Sequence, residues 1–554
     1  MSEMRQTILL NRILWISVAI LAIIAWFSTR DRKPEPPSEE ERVAAPTRAS
    51  LAGPQKIKPQ DDLHDYDFYF EDWEIPDLRD TDVSGGELLF GFKNNEELQA
   101  FLNAANQRNI PVLSSNSKLA LARVSVRGIE DLAKLASVLP EDMEVQRNMP
   151  VYAPSPTMPI ENSELVSFGS KTLSWLGVPE NNAEWGKNQK VAILDTGIWT
   201  DHDAFQNANI TQIDLLNPEE SIPGQYDGHG TAVASLIAGN SKSVKGIAPA
   251  VELLSIRVLD GEGKGSTFTL AEGIVEAVDR GAGIISLSLG SESDNAVLRK
   301  AVNYAIEHGA MIVASAGNEG AKQITYPAAY PDVVGVTSVD AGSRIASFSN
   351  TGEGVDLAAP GIGLQAAWIQ DQEVTFSGTS ASAPLVAGAL AGILSSEHNL
   401  TTPEALQLLT TYANDGYAAG KDAKLGHGVI NLDRVVNRNQ RGIYDIAVGG
   451  YHITPLTSSA SNKSFEITVQ NRGTEWLSGS TLDLTVDNTR KSFRLGSMKP
   501  GEVLTAEWFL TPEQILNPEG TLIKATIQAS GRQDSRPENN SWSTQIVLPS
   551  EKNR

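Results

Sequence analysis

The chain has 554 residues, with 45 basic against 68 acidic side chains, 7 histidines and no cysteine. At ~100–200 residues per domain this length calls for about three domains, and 41% hydrophobic with 20% charged residues fits folded cores rather than a disordered chain. The missing cysteines exclude disulfides, thiolate metal sites, cysteine nucleophiles and a lipidated cysteine, and a net charge of −23 excludes nucleic acid as an expected partner, because phosphate binding needs clustered Lys and Arg.

Ile13 to Phe27 is an uncharged apolar run that reaches 17 residues with Ser28 and Thr29, the lower edge of a spanning helix. Residues 1–30 are expected to be an uncleaved membrane anchor spanning 13–29. A cleaved signal peptide is the alternative, opposed by the long apolar run and the lack of an A-x-A site after it. Arg5 and Arg12 before the run and Arg30, Arg32 and Lys33 after it leave the orientation undecided. Residues 31–82 read as a linker: Pro34, Pro36, Pro37, Pro46, Pro54 and Pro59 break helices, and Glu35 and Glu39–Glu41 keep it solvated. It ends in an acidic-aromatic patch, Asp61–Asp80, that lacks metal-ligand spacing.

Residues 83–155 read as a small α/β module. Leu88–Phe92 and Leu119–Val126 are strand-like, Glu144–Val151 is extended, and Asn95–Gln107 and Ile129–Leu139 carry apolar residues at helical spacing (Leu98, Phe101, Leu102; Leu132, Leu135). A β-α-β-β-α-β order of this size predicts a ferredoxin-like split βαβ unit.

Residues 160–437 alternate short apolar runs with helical patterns. The runs Lys190–Leu194, Val251–Val258, Gly283–Leu289, Ala310–Ser315 and Val333–Val336 are nearly continuous in apolar residues, as strands buried on both faces are. Helical patterns lie between them, over Gly230–Ala238, Thr267–Arg280, Asn295–His308 and Ala381–Ser395. The prediction is an α/β fold, a doubly wound parallel sheet whose sites gather at the carboxyl ends of the strands.

Polar signatures mark those ends. VAILDTG places Asp195 directly after a buried strand, DGHGTAVAS places His229 at the start of a small-residue helix, and FSGTSASAPLVAGAL places Ser380 at the start of an apolar helix. Taken singly these are a turn aspartate, a structural histidine and an N-cap serine. IVASAGNEG adds Asn318 at the end of a strand. A run from Gly281 to Ser286 imitates a dinucleotide fingerprint but precedes a strand instead of following one, and is discarded.

In that order and with those flanks, the four motifs resemble the subtilisin-like serine proteases, the subtilases, across the whole central domain; the Asp, His, Ser order is the one known for subtilisin. The resemblance implies a serine endopeptidase acting on proteins or peptides. Asp195 would orient His229, His229 would take the proton of Ser380 Oγ, and Ser380 would attack the peptide carbonyl, with the Asn318 amide and a backbone N–H steadying the oxyanion. An extended substrate would pair between Ser288–Leu289–Gly290 and Gly263–Lys264–Gly265. Ser315, Ala316, Gly317 and Thr325 would line the pocket before the scissile bond, a pocket for apolar or aromatic side chains that Thr325 narrows. The chemistry needs no cofactor. Ala204 stands where relatives often carry a calcium-ligating Asp, and the loop Gly239–Gly246 is short, so structural calcium is left unassigned and no metal ligand is named. Ala232 and Ser235 also replace residues common in the histidine helix. A catalytically inert scaffold that binds partners through its C-terminal domain is the alternative from another class.

The resemblance gives the 83–155 module a role as propeptide: a folding aid and intramolecular inhibitor whose tail lies in the substrate channel, with cleavage between Tyr152 and Asn162. The protein would be anchored with its catalytic domain extracytoplasmic, or secreted after N-terminal cleavage. Beyond Asn431–Asp433, residues 440–550 turn to alternating β-patterns, over Tyr444–Val448, Phe465–Gln470, Leu482–Asp487, Ser492–Leu495, Val503–Phe509, Thr521–Gln528 and Thr544–Val547. These strands predict an immunoglobulin-like sandwich, and the VQNRGT…MKPGE…PENN run resembles bacterial cell-adhesion-related domains.

Overall fold

The computed structural model describes residues 86–546 except 127–130, 132–133, 136, 141–142, 155–167, 217–223, 225, 416–419, 455–462, 516–520 and 530. The expected anchor at 13–29, the linker and the acidic-aromatic patch lie outside the described residues, as does most of the expected cleavage stretch.

Strand β1 (Glu87–Gly91) is followed by helix α1 (Asn95–Gln107), which starts where the Asn94 side chain accepts the Glu97 N–H at 3.0 Å. Leu98, Phe101 and Ala105, spaced to one helical face, are buried against the sheet. With β2 (Val112–Asn116), β3 (Leu121–Ser125) and β4 (Glu144–Arg147) the sheet runs β2-β3-β1-β4, antiparallel throughout, the order of a split βαβ unit. Of the second expected helix, Leu135 is buried in this core and Leu132 lies outside the described residues. A short strand, β5 (Pro150–Tyr152), leaves the module.

The central sheet has seven parallel strands: β6 (Lys190–Asp195), β7 (Asn209–Asp214), β8 (Glu252–Arg257), β10 (Ile284–Leu287), β11 (Met311–Ser315), β12 (Val334–Val339) and β13 (Val355–Pro360), in the order β13-β12-β11-β10-β6-β8-β7. Strand β9 (Lys264–Ser266) stands apart and pairs with β5. Successive residues of β6 face opposite cores. Val191 and Ile193 join the cluster of α2 (His229–Ala238), while Ala192 and Leu194 join that of α3 (Thr267–Asp279) and α4 (Ala296–Glu307). From β6 the chain winds to β8 and β7 on one side, then crosses to β10 on the other. The carboxyl ends of β6 and β10 therefore bound the crevice at the switch point.

A hairpin of β14 (Leu364–Ala367) and β15 (Glu373–Phe376) leads into helix α5 (Thr379–Ser396). Among the described residues α5 is the one helix long and apolar enough to cross a membrane, yet it is almost wholly buried beside α2, a core helix rather than a span.

The C-terminal strands form two packed sheets, β16-β17-β20 (Ile446–Thr454, Lys463–Asn471, Val503–Leu510) and β19-β18-β21-β22 (Thr489–Arg494, Thr481–Val486, Thr521–Gln528, Ser541–Ile546). Alternation along β18 and β21 puts Leu482, Leu484, Ile523 and Ala525 into the shared core. The sandwich is fastened to the central unit by Arg536 on Asp433 at 2.6 Å, buried Arg472 donating to the Ser174 carbonyl, and Thr468 Oγ1 on the Ala341 carbonyl at 3.2 Å. Burial pushes the neighbouring Asp445 carboxyl up to about 6.

Candidate active site

Asp195 ends β6; its carbonyl accepts the Val258 and Leu259 N–H groups after β8, and its carboxylate turns to His229, the first residue of α2. His229 Nδ1 lies 2.8 Å from Oδ1 and 3.0 Å from Oδ2, with both side chains almost completely buried. The Thr196 N–H donates to Oδ1 at 2.7 Å and holds the carboxylate in place. The His229 ring neighbours Tyr226, 6.0 Å away, and Phe376, 5.4 Å away in a T-shaped arrangement. Its Nε2 is buried and makes no hydrogen bond among the described residues.

Ser380 stands in the first turn of α5 and is tied to the segment after β10 from both sides. Ser288 Oγ donates to the Ser380 carbonyl at 3.0 Å, and Ser380 Oγ donates to the Ser288 carbonyl at 3.5 Å. The serine hydroxyl thus rests on Ser288 and not on His229, and catalytic hydrogen bonds are often long or misaligned before substrate arrives. Asn318 is oriented by Thr379, whose N–H and Oγ1 both donate to its Oδ1 at 2.9 Å, which leaves its Nδ2 beside Gly378. Gly378 fits here for two reasons: its φ of +131° is costly for other residues, and a Cβ would lie 2.9 Å from Asn318 Nδ2.

The expected pocket residues are brought together. Thr325 packs on Gly290 and Gly317, its Oγ1 bonds the Ser315 carbonyl at 3.4 Å, and its N–H bonds the Ala316 carbonyl at 3.0 Å. Behind them Asn350 holds Glu319, at 2.7 Å from Nδ2 to Oε2. Leu289 differs from its neighbours: its side chain is fully buried in the core, so only its backbone faces the groove.

The groove between the two expected segments holds the chain itself. Strand β5 pairs antiparallel with β9, Val151 opposite Gly265 and Tyr152 opposite Lys264. On the other side Tyr152 exchanges hydrogen bonds with Gly290, N–H to carbonyl, at 2.9 Å in each direction. The Ala153 N–H donates to the Gly263 carbonyl at 2.8 Å.

Residues before β5 also seat on the central unit. Asn148, fully buried, accepts from Phe268 N–H at 3.1 Å and Thr267 Oγ1 at 3.3 Å at the start of α3. Gln146 accepts from Ala296 N–H at 2.8 Å at the start of α4, and Lys300 pairs with Glu144 at 3.0 Å. These amides satisfy helix donors that would otherwise be orphaned. Glu272 of α3 carries a carboxyl pushed up to about 7 by burial, opposed by Arg123 of β3, whose guanidinium lies over the Phe268 ring at 5.5 Å.

Ala204 is buried in an apolar cluster with Val244 and Ala367, and its carbonyl accepts the Asn240 N–H at 2.9 Å. Ser235, an unusual residue in the histidine helix, donates within α2 to the Ala232 carbonyl at 2.8 Å and accepts the Ala367 N–H at 3.0 Å.

Sequence reasoning missed Tyr226, Thr379, Phe376, Gln146 and Asn148. Thr379 and Phe376 belong to the quoted serine motif and Tyr226 directly precedes the histidine motif, so a signal existed; Gln146 and Asn148 act on helices far away in sequence.

The Subtilase family model matches residues 186–428. The alkaline protease of Shouchella clausii is 31% identical over 355 residues, 62% of this chain and 90% of that protein. Thermitase of Thermoactinomyces vulgaris is 39% identical over 215 residues, 38% of this chain and 76% of that protein. The major intracellular serine protease of Bacillus subtilis is 40% identical over 223 residues, 38% of this chain and 70% of that protein. With this kinship, and with the parallel sheet and its site as described, the chain belongs to the subtilase family and is a subtilisin-like serine endopeptidase.

Proposed function

We propose that Asp195, His229 and Ser380 hydrolyse peptide bonds through an acyl-enzyme. The observation that carries this reading is the strand Pro150–Tyr152, bound as a substrate would be beside a buried Asp195–His229 pair with an open Nε2. Ser380 Oγ attacks the carbonyl carbon and passes its proton to His229 Nε2. Asp195 holds the imidazole tautomer and steadies the imidazolium. The oxyanion takes hydrogen bonds from Asn318 Nδ2 and from a backbone N–H at the start of α5, where the helix dipole favours negative charge. The C–N bond breaks as His229 returns the proton to the leaving amine. Water then attacks the ester, giving its proton to His229, and Ser380 Oγ leaves with that proton.

The module at 83–155 is an intramolecular inhibitor in this reading, since its tail fills the groove while Asn148 and Gln146 cap α3 and α4. Release follows cleavage between Tyr152 and Asn162. The central domain spans 160–437 and the sandwich 440–550; the run at 13–29 anchors the chain with the peptidase extracytoplasmic. The apolar contact of Ala204, Val244 and Ala367 takes over the loop-fixing work of a cation. The test is mass analysis of purified full-length protein. Wild type loses the module on prolonged incubation and Ser380→Ala retains it; identical N-termini in the two would refute self-processing.

A further inference from the structure

Strand β5 reports which side chains the groove accepts. Its residues alternate, with Val151 and Ala153 buried and Tyr152 41% exposed, so the tail turns one face to the enzyme and the other to solvent. Continuing the antiparallel register from Tyr152–Gly290 by two residues puts Pro154 opposite Ser288, the residue whose carbonyl holds Ser380 Oγ. Pro154 therefore occupies the position whose carbonyl is attacked, and Ala153 the one before it.

Tyr226 and Ala153 meet at the same groove residue, Gly263, and share one buried apolar cluster. The Ala153 N–H is bonded to the Gly263 carbonyl, and the Tyr226 ring packs directly on Gly263, where a Cβ would lie 2.9 Å from Cγ. Gly263 has φ +73°, which brings its backbone onto the ring. Tyr226 is buried, is pinned by its N–H on the Gly261 carbonyl at 2.7 Å, and shares one apolar cluster with Val151, Ala153 and Leu259. The ring also neighbours His229, with the centroids 6.0 Å apart. A buried aromatic ring packed on Gly263, the residue that binds the Ala153 N–H, disfavours side chains larger than a methyl group at that position of the tail.

We propose that Tyr226 is a specificity-determining residue. It restricts substrates, and the protein's own tail, to Ala, Gly or Ser at the residue preceding the one whose carbonyl is attacked. This rests on the peptidase reading above. Large side chains there must displace the ring or lift the strand from Gly263.

The experiment uses the full-length chain and a fluorophosphonate probe of Ser380. Ala153→Phe should free the groove and raise the labelling rate at least tenfold over wild type, and adding Tyr226→Ala should slow labelling again by re-admitting the enlarged tail. Leu113→Ala, exposed on β2 and outside the groove contacts, should leave the rate within twofold. In the opened Ala153→Phe chain, a fluorogenic peptide with Ala at this position should be cleaved at least tenfold more efficiently than its Phe counterpart. Equal labelling of Ala153→Phe and wild type, or no slowing by Tyr226→Ala, would overturn the assignment while leaving the peptidase reading intact. Absence of Ser380-dependent labelling from every folded variant would instead bring down that reading and the assignment with it.

Discussion

The backbone of Tyr152 exchanges both of its hydrogen bonds with Gly290, at 2.9 Å each. A single residue pair thus fixes the register of the N-terminal tail in the groove, and with it which bond is offered to Ser380. In that register Pro154 falls opposite Ser288 and lacks the N–H that would complete the ladder. Pro154→Ala should restore the hydrogen bond and release a fragment beginning at Ser155 at least tenfold faster than wild type, read by intact mass, with no release in Ser380→Ala. Wild type releasing that fragment as fast as the variant would contradict the register.

Asn148 lends the start of α3 an acceptor that the helix lacks when the module leaves. Losing a cap of this kind costs ~1 kcal/mol, which corresponds to a roughly fivefold shift in an equilibrium constant. Asn148→Ala should therefore raise fluorophosphonate labelling of the full-length chain about fivefold, with thermal unfolding of the central domain little changed.

Module docking should depend on pH through Glu272. Its carboxyl is raised to about 7 by burial, Arg123 pulls the other way, and Glu87 stands 3.8 Å from Arg123. A carboxyl raised in the docked state binds its proton more tightly there. Docking is therefore strongest below the ordinary carboxylate range, and that advantage is lost as pH rises to about 7. The labelling rate of wild type relative to Glu272→Gln should climb between pH 5 and pH 8 by roughly tenfold. A constant ratio across that range would show that the module does not bury this carboxyl.

Ala204 is packed with Val244 and Ala367, with no polar contact on its side chain. Ala204→Asp would bury an unpaired charge, a change that costs several kcal/mol. It should lower Tm by at least about 5 °C with no recovery on adding calcium, and a chelator should leave the wild-type Tm unchanged at this loop. Calcium rescue of the variant would show a cation site that apolar packing has only partly replaced.

Much of the architecture was legible because buried parallel strands are near-continuous apolar runs, and the strands ending in Asp195, Leu287 and Ser315 follow that rule. The edge strand Asn209–Asp214 does not: with a neighbouring strand on one side only, none of its residues is buried, and Ile210 and Ile213 are its sole apolar residues. Val112–Asn116 is half-exposed for the same reason, and Val355–Pro360 ends in a proline that reads as a break. In the site, Asp195, His229, Asn318 and Ser380 announce themselves through small-residue motifs that backbone approach demands. Tyr226 and Phe376 do not, because their importance lies in which ring they meet across the fold, and that is set by packing rather than by local pattern. The place of Tyr152 in the groove was likewise an expectation of kinship that only strand pairing makes specific.

The most direct measurement is mass-resolved fluorophosphonate labelling of the full-length chain, with the tail loosened by Asn148→Ala. One adduct on the peptide bearing Ser380, absent from Ser380→Ala and strongly slowed by His229→Ala, is the result predicted. A folded chain that takes no label, or that takes it equally without Ser380, would contradict the assignment of these three residues.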